Sequence, residues 1–160
     1  MIIVLMGVTG SGKTTVGKLL ADELGWKYYD ADDFHSPANI EKMKRGIPLD
    51  DVDRKPWLES LRDLIRNRLE RAENGVIACS ALKASYRNYL LVNDEVRLIY
   101  LKGDYELIHK RLSDRSSHYM NPKLLDSQFD LLEEPKGHLA IDVSSSPAEI
   151  VKNIREHLGL

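Results

Sequence analysis

The sequence predicts an α/β fold: a five-stranded parallel sheet with helices on both faces and a lid. Three observations predict it. Five short apolar runs alternate with segments of helical apolar spacing. The first run, Ile2–Met6, leads directly into Gly7-Val8-Thr9-Gly10-Ser11-Gly12-Lys13-Thr14, a G-x-x-x-x-G-K-[ST] phosphate loop. A polar, arginine-bearing stretch at 113–121 interrupts the alternation late in the chain.

Each element follows in order. Ile2–Met6 is the first strand, and the first helix runs from Lys13 to about Leu24, stopped by Gly25. Lys27–Asp30 is the second strand. Past Pro37 comes a short helix over 39–45, ended by Gly46, and 48–53 is irregular. A long helix begins near Pro56, a residue suited to a first turn. Its apolar face is Trp57, Leu58, Leu61, Leu64, Ile65, Leu69 and Ala72, and Asn74-Gly75 ends it. The third strand is 76–79, a helix around 86–92 follows, and the fourth strand is 96–101. Another helix covers 105–112, and Pro122 opens one that reaches about Leu132. The fifth strand is 139–143, and Pro147–Leu158 is the closing helix.

A chain of 160 residues is long enough for one domain, 1–160, with a sizeable core. Apolar residues make up 42% and charged residues 30%, as in ordinary globular proteins. A formal net charge of −2 gives no reason to expect a nucleic-acid partner. Cys79 is the only cysteine, so no disulfide framework exists, and its apolar neighbours make it a core residue. The run Ile2–Met6 is too short for a signal peptide, and no window approaches a membrane span. A reducing cytoplasm is the expected compartment.

The phosphate loop carries the chemistry of the P-loop NTPase class. Gly7, Gly10 and Gly12 let the backbone curl around a phosphate with its N–H groups pointing inward, and Val8, Thr9 and Ser11 complete the cofactor-binding loop. The helix opening at Lys13, with Thr14 and Thr15 in its first turn, adds its positive dipole end. Lys13 can reach the β- and γ-phosphates, and the Thr14 hydroxyl can serve Mg²⁺.

In open parallel sheets, ligands bind beyond the carboxyl ends of the strands. After strand two comes Asp30-Ala31-Asp32. An extended segment would put both carboxylates on one face, where a cation relieves their repulsion. Strand three ends in Cys79-Ser80 with no carboxylate, so Asp30 and Asp32 are the candidates for work near Mg²⁺. Arg54, Lys83 and Arg87 are cations on separate segments near the same rim, suited to a carboxylate or phosphate. Arg111, Arg115 and His118 fall in or beside the polar stretch, where a lid would exclude water and compensate γ-phosphate charge.

Several segments are together recognisable. Asp30-Ala-Asp-Asp-Phe-His-Ser-Pro-Ala-Asn-Ile-Glu-Lys-Met43, then Gly46-Ile-Pro-Leu-Asp-Asp-Val-Asp-Arg-Lys-Pro-Trp-Leu58, resemble the gluconokinases of the small phosphate-loop type. So do Cys79-Ser-Ala-Leu-Lys-Ala-Ser-Tyr-Arg87, Arg115-Ser-Ser-His118, Leu124-Leu-Asp-Ser-Gln-Phe129 and Glu133-Glu-Pro135. That family is related to shikimate kinase and the nucleoside monophosphate kinases, and the resemblance spans essentially the whole chain. Departures are small: Asn88 stands where an acidic residue is usual, and Tyr119 where phenylalanine is.

The resemblance implies an NMP-kinase-like fold and ATP-dependent phosphorylation of the C6 hydroxyl of D-gluconate, with Mg²⁺, giving 6-phosphogluconate. It implies a substrate-binding region at about 31–58 and a lid at about 113–122. Lys13, Asp32 and Arg115 become the catalytic candidates, and His35, Arg54, Lys83, Arg87, His118 and Gln128 join Asp32 as substrate contacts. Asp30 and Thr14 are directed to the metal, although which aspartate serves metal and which serves substrate stays open. By analogy with related kinases, Arg111 stacks on the adenine and the segment after Val143 lines it. Family members are often homodimers, a point the sequence leaves open. Three rivals remain. A GTPase-like switch lacks its guanine-reading asparagine at Leu101-Lys102-Gly103-Asp104. A non-catalytic nucleotide-binding module leaves the paired aspartates and lid cations without a task. A kinase for shikimate, a nucleotide or another aldonate differs only in acceptor.

Overall fold

In a computed structural model, which describes residues 1–115 and 122–160, the five strands form one parallel sheet in the order β2-β3-β1-β4-β5. The strands are β1 (Ile2–Met6), β2 (Lys27–Asp30), β3 (Gly75–Ala78), β4 (Val96–Lys102) and β5 (Leu139–Asp142). The helices are α1 (Lys13–Leu24), α2 (Pro37–Lys44), α3 (Asp51–Glu70), α4 (Ala84–Leu90), α5 (Tyr105–Asp114), α6 (Pro122–Leu131) and α7 (Pro147–Leu158). No helix among the described residues is long and apolar enough to cross a membrane.

β1 is central, pairing Ile2 with Gly75 of β3 and with Val96 of β4. All five of its residues are buried, because both faces of the sheet are covered. The two-residue period divides them. Ile3 and Leu5 join Val16 and Leu20 of α1, Ile108 of α5, and Ile150, Val151 and Ile154 of α7. Ile2, Val4 and Met6 join Trp57, Leu58, Leu61 and Ile65 of α3, with Tyr86 and Leu90 of α4. These are two cores, one on each side of the sheet. Cys79 is buried in the second, and burial pushes its thiol up to about 12, as an inert core residue requires.

Two expectations need correction. Residues 48–53 are not wholly irregular, because α3 begins at Asp51 rather than near Pro56. A capping box decides this: Asp50 accepts the Asp53 amide at 2.7 Å and Asp53 accepts the Asp50 amide at 3.2 Å. Pro56 thus lies inside the helix, where it deprives the carbonyl of exposed Val52 of its usual partner and leaves it to solvent. The second correction lies after β2. Ala31–Phe34 is a 3₁₀ turn, not extended chain, with Asp30 as its N-cap accepting the Asp32 amide at 2.9 Å.

Candidate active site

The loop after β1 is held at both ends. Gly7 N–H donates to the Ser80 carbonyl beyond β3 at 3.3 Å. Its φ is 154°, and a Cβ there would stand 2.8 Å from the Leu101 carbonyl oxygen, so no larger residue fits. Gly12, at φ 95°, is the N-cap of α1 and brings no side chain to it, which leaves the first-turn amides open. Thr14 and Thr15 of that turn are exposed. Ser11 is buried, and its hydroxyl has no hydrogen-bond partner among the described residues. Open amides, an orphaned buried hydroxyl and a cradle that a Cβ would fill are what a polyphosphate requires.

Lys13 folds back on this loop, its Nζ donating to the carbonyls of Gly7 and Val8 at 2.9 Å each. Burial pushes its pKa down to about 8, against the opposing influence of nearby Cys79, Asp32 and Asp30. Both aspartates therefore lie in the field of Lys13, carried there by a turn rather than an extended strand. Burial raises the Asp32 pKa above the usual carboxylate value, the Asp30 charge raises it further, and Lys13 pulls it back. Among the described residues, no cluster of three His, Cys, Asp or Glu is placed to hold a metal alone. Asp30, Asp32 and Thr14 fit a cation that keeps water and nucleotide oxygens as its other ligands, the habit of Mg²⁺.

A second cluster forms where α3 meets the start of α4. Arg54 donates to the Tyr86 hydroxyl at 2.9 Å and stacks its guanidinium 5.3 Å from the Tyr86 ring. Tyr86 donates that hydroxyl to Asp51 at 2.7 Å. Lys83 lies 3.5 Å from the other Asp51 oxygen, and Arg54 3.9 Å from the first. The Tyr86 hydrogen bond, with Lys83 and Arg54 beside it, holds the Asp51 carboxyl below its usual pKa. Two cations against one carboxylate leave a single positive charge for a ligand anion.

Arg87, expected on the same rim, is buried instead. It donates through one terminal nitrogen to the carbonyls of Ala81 at 2.9 Å and Leu82 at 3.0 Å. It thereby braces the turn at Ala81, whose φ is +45°. His35 is half-buried and stacks on Trp57, and its Nδ1 faces the Asn39 amide nitrogen at 3.4 Å. Burial, then the Arg54 charge, lowers its pKa and keeps the ring neutral.

Arg111 of α5 donates to the Val143 carbonyl just beyond β5, beside the segment expected to line the adenine. Arg115 is exposed at the end of α5. His118, Tyr119 and most of the expected lid lie outside the described residues. Gln128, expected at the substrate, sits on the nucleotide loop, its Oε1 accepting the Thr9 amide at 2.6 Å. Asp104, which a guanine-reading site would need free, accepts the Leu107 amide as the N-cap of α5.

Asp51, Tyr86, Trp57, Asn39 and Glu133 were given no role in the site from sequence alone. The signals were faint: Asp51 and Arg54 are three apart at a helix start masked by Pro56, as are Lys83 and Tyr86.

A phosphate loop beside a carboxylate pair, with a cluster of two cations about one carboxylate on the next segments, defines the protein as a P-loop kinase. Comparison with known proteins narrows this. The shikimate kinase family model matches residues 9–158. A "Probable gluconokinase" of Dictyostelium discoideum is 46% identical, the match covering 99% of this chain and 86% of that protein. The "Thermosensitive gluconokinase" of Escherichia coli (strain K12) is 42% identical over 96% of this chain and 84% of its own. The crystal structure of a gluconokinase from Sinorhizobium meliloti 1021 superposes with a TM-score of 0.85 at 39% identity, covering 98% and 94% of the two chains. The chain belongs to the shikimate kinase family, on its gluconokinase branch.

Proposed function

We propose that this protein transfers the γ-phosphoryl group of ATP to the C6 hydroxyl of D-gluconate, giving ADP and 6-phospho-D-gluconate. The cluster of Arg54, Lys83 and Tyr86 carries the choice of acceptor: its one uncompensated positive charge matches the one carboxylate of an aldonate. Identity above 40% to gluconokinases supports the same acceptor.

The acid end of gluconate lies against Arg54 and Lys83, with Arg87 bracing the turn that carries Lys83. His35 holds a mid-chain hydroxyl. The far hydroxyl then reaches Asp32, which orients it and accepts its proton as the oxygen attacks phosphorus. The β–γ bridging oxygen leaves with ADP. Phosphates rest on residues 7–15, and Lys13 shifts from its own loop carbonyls to the transferring group, whose developing charge it offsets. The Thr14 hydroxyl and Asp30 would hold Mg²⁺, which would supply charge compensation for the nucleotide phosphates. Arg111 flanks the adenine. Arg115 serves the γ-phosphate from the lid at about 113–122, His118 remains a substrate contact, and residues 31–58 form the substrate-binding region.

The test is ADP release measured with an acceptor panel. D-Gluconate should exceed shikimate, nucleoside monophosphates and other aldonates by about a hundredfold or more in kcat/KM. Preference for any of these, or ATP binding without turnover on any acceptor, overturns the proposal.

A further inference from the structure

Lys83 stands at the N-cap of α4, yet its side chain makes no cap there. The cap comes from Glu133, beyond the end of α6. Glu133 Oε1 accepts the Ala84 amide at 2.8 Å, and its own N–H donates to the Leu82 carbonyl at 2.8 Å. The residues on either side of Lys83 are thus gripped by one residue 49 positions from Ala84. A carboxylate suits this place, because it meets the positive end of a helix.

The segment that supplies Glu133 is itself anchored. Gln128 accepts the Thr9 amide of the phosphate loop. Leu132 packs against both cores. Glu134 accepts the Tyr100 hydroxyl at 3.2 Å and pairs with Lys102 at 3.2 Å. Glu133 therefore has a fixed origin from which to set the Lys83 turn, while Arg87 fixes the same turn from inside through the Ala81 and Leu82 carbonyls.

We propose that Glu133 is the positioning residue for Lys83, a specificity element of the acid-binding cluster supplied from outside it. The proposal rests on the acid-binding role of Lys83 given above. Without the Glu133 carboxylate the turn keeps only the backbone bond at Leu82 and loses the grip on the Ala84 amide, and Lys83 no longer shares one anion site with Arg54. The reacting hydroxyl and the phosphate loop are untouched by this loss, so it falls on gluconate binding rather than on chemistry.

The experiment compares Glu133→Ala, Glu133→Gln, Lys83→Met and the double variant Lys83→Met/Glu133→Ala in the full chain. It reads kcat, both KM values and thermal stability. Glu133→Ala should raise the KM for gluconate about tenfold, with kcat and the KM for ATP within about twofold. Glu133→Gln, which keeps an acceptor oxygen, should restore most of the loss. The double variant should be no worse than Lys83→Met alone, since both remove the same contact. Additive losses, or a kcat defect without a KM defect, overturn the proposal. Should the alanine variant not fold, Glu133→Asp withdraws the oxygen while keeping the charge, and an unchanged KM there is equally decisive against it. If Lys83→Met leaves the gluconate KM unchanged, the acid-binding role of Lys83 falls and takes this proposal with it. If only the Glu133 variants are silent, Lys83 keeps its role and Glu133 loses its own.

Discussion

The imidazole of His35 lies flat on the indole of Trp57, ring centroids 4.3 Å apart and 13° between planes. Trp57 also donates its indole N–H to the Ala31 carbonyl at 2.7 Å. Asn39 adds a third tie, reaching the Asp53 carbonyl at 2.8 Å. The turn that carries Asp32 is thereby docked on α3, one helical turn from Arg54. This docking sets the span between the group proposed to orient the hydroxyl and the group proposed to hold the acid.

Trp57→Phe should keep the ring stack but orphan the Ala31 carbonyl, lowering stability by about 1–3 kcal/mol. Trp57→Ala should cost about 3–5 kcal/mol through the cavity it leaves. Denaturant melts read both. In the phenylalanine variant the KM for gluconate should rise while the KM for ATP holds.

Lys13→Met should lower turnover about a hundred- to a thousandfold, equivalent to about 3–4 kcal/mol of transition-state stabilisation. The same variant should be more thermally stable than the wild type. The native pKa of about 8 lies below the unfolded value of 10.5, so the unfolded chain holds more protons between them and stability rises with pH across that window. Below pH 8 the charged ammonium is a burden on the fold, which methionine removes. For the free enzyme, kcat/KM for ATP should fall as pH passes about 8, and Lys13→Arg should move that limb upward.

Asp32→Asn should collapse kcat with little change in gluconate binding. In the wild type, kcat/KM should fall on the acid side as Asp32 takes up a proton. Burial and the Asp30 charge raise its pKa, so that limb lies above the ordinary aspartate value. Because the Asp30 charge contributes to the rise, Asp30→Asn should move the limb to lower pH. An acid limb that Asp30→Asn leaves in place would assign it to another group. A normal kcat in Asp32→Asn, with altered Mg²⁺ dependence alone, would exchange the two aspartate roles.

Arg54→Ala should raise the KM for gluconate about ten- to a hundredfold at nearly constant kcat, since a carboxylate is held alike in ground and transition states. Against a neutral polyol of the same length, the variant and the wild type should perform alike. A loss of equal size on the neutral acceptor would mean that Arg54 acts through packing on Tyr86 rather than through charge.

The sequence by itself determined the five strands, their parallel sheet and the phosphate loop, while the order that puts β1 at the centre came from the tertiary structure. Those signals are local: five consecutive apolar residues, glycines at fixed spacing and a lysine opening a helix. It also singled out Asp32, Arg54 and Lys83, because each follows a strand or lies in a recognisable segment. Tertiary structure alone decided which cations share a site. Arg54 and Lys83 meet only because Tyr86 and Asp51 stand between them, and Arg87 leaves the rim because the carbonyls of Ala81 and Leu82 need a buried donor. The start of α3 turned on whether Asp50 and Asp53 would cap each other, a competition with Pro56 that is settled by geometry. Gln128 and Glu133 reach the phosphate loop and the Lys83 turn across long stretches of chain, so no spacing in the sequence encodes either contact.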